Sequence, residues 1–132
     1  MKKKTKMEIA VSSLNSAYRM FLEKDYVAST LLAGAGQQIL RDLCKSRGIE
    51  TTITTLSANL GHSIKDILAC IVDPYNQMKH ANRFPNDLEI SEKVPVALMR
   101  LAWNDLMSLD EKQTKEMEKF MKAMENLRNE LI

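Results

Sequence analysis

A chain of 132 residues, 45% hydrophobic and 27% charged, can enclose one core without metal or disulfide support and is too short for two ordinary domains. Four glycines, three prolines and only 5% aromatics leave little material for strands and hairpins, so an all-α fold is expected. Net charge is +2, yet Lys2, Lys3, Lys4 and Lys6 carry +4 and leave the rest at −2; this excludes the basic stripe of a dedicated nucleic-acid binder and predicts a flexible basic arm over residues 1–5.

From Thr5 to about Glu23, Met7, Ala10, Val11, Leu14, Ala17, Tyr18 and Phe21 recur at threes and fours, which predicts one amphipathic helix. Asp25 is placed to cap a second helix that runs to about Arg47 and stops at Gly48. Its apolar stripe reads Ala28, Leu32, Ala35, Ile39, Leu43, and the short connection makes the two helices antiparallel. Inside the second helix, "LAGAGQQIL" spends two glycines, Gly34 and Gly36. Each costs roughly 1 kcal/mol relative to alanine. No Lys-Ser/Thr pair and no third glycine follow, so close helix packing explains them better than a phosphate-cradling loop.

Thr51 to Thr55 is a β-branched run that predicts a loop, with a short helix over 55–60. "HSIKDILACIVD" then places Ile64, Ile67, Leu68, Ile71 and Val72 on one face, capped by Ser63 or His62. Pro74 demands a kink or break at Asp73, and a further turn runs to Ala81. Pro85, Asn86 and Asp87 mark a turn. A helix beginning near Ser91 carries Leu98, Leu101, Ala102, Asp105 and Leu106, with Pro95 in its first turn. Ser108 and Glu111 have capping-box spacing, which predicts a last helix over 108–131. Its stripe, Met117, Phe120, Met121, Met124, Leu127 and Leu131, docks on the bundle or on a second copy.

The chemistry-bearing residues concentrate in "PYNQMKHANRFPND", residues 74–87. His80 is the candidate general acid or base. Asn76, Lys79 and Arg83 stand at helical spacing around it, a set able to polarise a phosphodiester or, equally, to finish a helix whose free carbonyls attract Lys and His. His62 reads as a cap or surface residue. Two cysteines and two histidines, Cys44, Cys70, His62 and His80, have no ligand spacing, so neither metal nor cofactor is expected. Both cysteines lie in apolar helical patterns, which predicts buried thiols of a reduced compartment rather than a disulfide framework. With no signal-peptide pattern and no apolar run near the roughly 20 residues of a membrane span, a cytoplasmic protein without membrane contact is expected.

Two stretches, "LLAGAGQQILRDLCKSRG" (31–48) and "YNQMKHANRFPND" (75–87), resemble a group of uncharacterised bacterial helical proteins that pair an AGAxxxIL helix with an NxxKHAxRxP segment. More loosely, the layout resembles the HEPN superfamily of helical bundles. The resemblance implies a HEPN-like bundle, a homodimer, and a place in bacterial or phage conflict systems, where many such proteins are ribonucleases. The ribonucleases resemble one another in an Arg four to six residues before a His, and no Arg precedes His80 in that window.

The expectation is therefore one domain, an antiparallel bundle of four to five main helices, acting as a non-enzymatic homodimeric interaction protein. A second protein and RNA are further partner classes. The alternative is a metal-independent endoribonuclease using His80, Asn76, Lys79 and Arg83.

Overall fold

The computed structural model describes residues 3–80, 87–109 and 112–130. Among them are seven helices and no strand: α1 (Lys6–Leu22), α2 (Tyr26–Ser46), α3 (Thr52–Leu60), α4 (Ile64–Ile71), α5 (Asp73–Lys79), α6 (Lys93–Leu109) and α7 (Lys115–Glu130). The all-α expectation holds.

α1 starts on a capping box. The Glu8 N–H donates to Thr5 Oγ1 at 3.0 Å, and the Glu8 carboxylate accepts from the Thr5 N–H at 3.5 Å, a bond that holds the Glu8 carboxyl below its ordinary pKa. Met7, Ala10, Val11, Leu14 and Ala17 are buried as their period requires. A left-handed Lys24 (φ 62°) makes the turn, and Asp25 Oδ1 accepts from the Ala28 N–H at 3.0 Å. Two hydroxyls lock the antiparallel pair: Ser13 donates to the Leu32 carbonyl and Ser29 to the Ala17 carbonyl, both at 2.7 Å.

The deepest face of α2 is not the one its apolar residues mark. Ser29, Thr30, Ala33, Gly34, Gly36, Gln37, Leu40 and Cys44 are buried, whereas Ala28, Leu32, Ala35, Ile39 and Leu43 are only half-buried. The helix is turned by about one residue because it is enclosed by α1 and α6 at once, and only small side chains permit that approach. A Cβ on Gly36 would stand 2.7 Å from Leu14 Cγ and 3.0 Å from the Ala10 carbonyl oxygen. Packing is thus the role of these glycines. Gly48 ends the element at φ +67°, in the left-handed region that favours glycine.

The threonine run is helix, not loop. Thr51 Oγ1 accepts from the Thr54 N–H at 3.3 Å, and Asp105 of α6 accepts both the N–H and the hydroxyl of Thr52 at 2.8 Å. Two caps on one helix end outweigh the weak propensity of threonine. Ser63, rather than His62, caps α4 by accepting from the Asp66 N–H at 3.2 Å. α6 continues through Ser108 to Leu109, with the Ser108 hydroxyl bonded to the Asn104 carbonyl at 3.1 Å. The fresh start comes at Thr114, whose hydroxyl accepts from the Met117 N–H at 3.2 Å; Glu111 of the expected capping box lies outside the described residues.

α1, α2, α6 and α7 form the bundle, and α3 to α5 are a crossover between α2 and α6. Asn15 of α1 donates to the Glu116 carbonyl at 2.9 Å, near the start of α7. Farther along, Asn15 to Leu22 lie opposite Lys119 to Asn126, so α1 and α7 run parallel. The short connection 110–114 makes α6 and α7 antiparallel. α6 is therefore parallel to α2, and their C-terminal ends meet where the Cys44 thiol lies 3.6 Å from the Asp105 carbonyl. The bundle reads up, down, down, up.

Candidate functional site: the α5 segment and its seat on α2

α5 owes its position to two sequence features. Pro74 sits in its first turn, where a missing N–H costs nothing. Val72 stays helical (φ −97°, ψ −28°), donating to the Leu68 carbonyl at 2.8 Å and accepting from the Asn76 N–H at 3.1 Å. These bonds on either side carry the chain past Pro74, which has no N–H to donate, and the interruption falls at Val72, with helix resuming at Asp73 rather than breaking there. This path lays the Tyr75 ring on the backbone of Gly34, so closely that any Cβ at position 34 would overlap the Cγ and Cδ1 of that ring. Tyr75 is 7% exposed.

Lys79 completes the seat. Its ammonium stands 4.5 Å above the Tyr75 ring centroid and donates to Gln38 Oε1 of α2 at 3.1 Å and to the Tyr75 hydroxyl at 3.5 Å. Of these three contacts the bond to Gln38 crosses to α2, while the two to Tyr75 lie within α5 and hold the Lys79 side chain beside the seat. Gln37 and Gln38 follow the small-residue run; Gln38 holds Lys79, while Gln37 is buried with its Nε2 unpaired among the described residues.

His80 terminates α5. Its backbone leaves helical geometry at φ −122°, ψ 60°, and its N–H closes the last turn on the Asn76 carbonyl at 3.1 Å. The side chains of Asn76 and His80 are half-buried, and neither makes a hydrogen bond to a described residue. Helix end and constellation are thus the same object: Asn76 and His80 lie one turn apart, while Lys79 is drawn away to α2. Arg83, Ala81 and the expected turn residues Pro85 and Asn86 lie outside the described residues.

Of the expected interface stripe, Met117, Phe120, Met124 and Leu127 are buried in the chain's own core, at 4%, 0%, 2% and 1% exposure, and Met121 is half-buried. Leu131 lies outside the described residues. Those four residues are used within the chain.

Asp105 is the polar residue that periodicity placed but did not interpret. It is fully buried with one oxygen committed to Thr52 and Oδ2 without a partner among the described residues. The signal is a carboxylate inside the stripe Leu98, Leu101, Ala102, Leu106, since a charge on an apolar face needs a dedicated partner. Beside it, burial and then the Asp105 charge push the Cys44 thiol up to about 11. Among the described residues no group of three His, Cys, Asp or Glu side chains is placed to hold a metal ion, and no helix is long and apolar enough to cross a membrane. Compared with family models, curated proteins and solved structures, the chain matches none.

Proposed function

We propose that the chain is a non-enzymatic helical binding protein that associates with itself, and that the 74–80 segment is a docking element rather than a catalytic one. The observation that carries this reading is the engagement of Lys79 by Gln38 and the Tyr75 ring, together with an imidazole that no described side chain orients. A working acid or base is held by a second group that fixes its tautomer and tunes its basicity. His80 lacks one among the described residues.

Ribonuclease chemistry is the second reading, favoured by the uncommitted Asn76 and His80 side chains on one face. An RNA gel beside a thermal melt separates the two. We expect purified protein to leave mixed single-stranded RNA intact, and Asn76→Ala and His80→Ala to change stability by less than about 0.5 kcal/mol, since neither side chain makes a hydrogen bond to lose. RNA cleavage abolished by His80→Ala, with the melt unchanged, would overturn the proposal.

A further inference from the structure

The half of the bundle toward the α1–α2 turn and the start of α6 carries two surfaces of opposite charge. A groove of about 350 Å³ between α1 and α7 is lined by Tyr18, Arg19, Leu22, Lys119, Lys122 and neighbouring small or amide residues, with no carboxylate. Among the described residues the Arg19 guanidinium bonds to the Ser16 hydroxyl alone, at 3.2 Å, and neither Lys119 nor Lys122 forms an ion pair with a described residue. Leu22 is 57% exposed in the same groove.

In the same half, the chain enters α6 through "DLEISE", residues 87–92. Asp87, Glu89 and Glu92 are exposed and form no ion pair with a described residue, Leu88 is 39% exposed, and residues 87–91 are non-helical. No described backbone group pairs with the N–H or C=O of 87–90. In extended chain Asp87 and Glu89 lie on one side, about 6.6 Å apart, with Leu88 on the other. Lys119 and Lys122 are neighbours on α7, about 5–6 Å apart. Charge, spacing and apolar content match.

We propose that this half of the bundle is the self-association surface, the basic groove of one copy receiving residues 87–92 of a second copy. Leu88 seats against Leu22 while Asp87 and Glu89 reach the ammonium groups at the rim. Because groove and segment share one half, a two-fold pairing lets each copy give its segment and receive the other's. The inference rests on self-association proposed above, and the tethered, same-chain alternative is disfavoured because Asp87, Glu89 and Glu92 form no ion pair with a described residue of their own chain.

Sedimentation velocity of the full chain tests it, with parent, Lys119→Glu/Lys122→Glu, Asp87→Lys/Glu89→Lys, and all four changes together. All four positions are exposed, so circular dichroism should be unchanged throughout. We expect a parent dimer that weakens with salt, at least about a tenfold loss in either double variant, and recovery to within about threefold in the charge-swapped chain. A dimer indifferent to both double variants would overturn this surface while leaving self-association standing. A parent that stays monomeric would overturn both. Single-stranded RNA or an acidic peptide bound by the parent and lost in Lys119→Glu/Lys122→Glu, without change in the dimer, would reassign the groove to that ligand and overturn the proposal.

Discussion

Gly34 shows how one missing methyl group positions a segment. With Tyr75 resting on it, Gly34→Ala must displace α5, and the roughly 1 kcal/mol of helix propensity gained is smaller than the 1–3 kcal/mol typical of overpacking. The expected outcome is a lower melting temperature. Tyr75→Ala alone should also destabilise, but by less in the Gly34→Ala background than in the parent, a coupling that a double-mutant cycle measures. The two cysteines differ just as sharply. Cys44 is buried as its pattern predicts, but Cys70 is exposed, against expectation, so a thiol reagent at pH 8 should titrate one group quickly and the second only on unfolding. The Cys44 thiol has a folded pKa of about 11 against an ordinary 9.0. Above pH 9 the unfolded chain ionises first, so this thiol's contribution to stability is present below about 9 and is lost as pH rises through 11. In a chemical-denaturation series, Cys44→Ser should flatten that part of the alkaline decline.

Helices α3 and α6 are joined through one carboxylate. Asp105→Ala removes two hydrogen bonds to a buried charged acceptor and should cost about 3 kcal/mol, whereas Thr52→Val, which keeps the backbone donor, should cost less. Denaturant melts check the order. The residues that could be read in the sequence were those whose partners are near in the chain. The stripes of α1 and α6 and the Asp25 cap depend on neighbours within a turn or two and appear as expected, whereas the interruption before Pro74 falls at Val72 rather than at Asp73. What escaped depends on distant partners: the face of α2 is set by α6, α3 forms on a carboxylate 53 positions away, and α7 starts at Thr114 because α6 keeps its register through Leu109. At the 74–80 segment, the sequence displayed Asn76, Lys79 and His80 together. Only the seat on Gly34 showed that Lys79 faces α2.

For the molecule as a whole, α7 is a wall of the core. Removing residues 110–132 uncovers the surfaces packed against Phe120, Met124 and Leu127, so the truncated chain should lose its cooperative melt and aggregate, as followed by light scattering. The up, down, down, up order also places a parallel pair, α2 and α6, on either side of the crossover. On a ribosome adding about 5–20 residues per second, α2 is finished roughly 3–12 s before α6 can cover it. During that interval a leucine-rich face would invite other nascent chains. Of the buried residues of α2, Ser29 and Gly36 are already covered by α1, and those left waiting include Gly34, which Tyr75 later covers, and Cys44, which meets Asp105, small residues that adhere weakly until their own neighbours arrive.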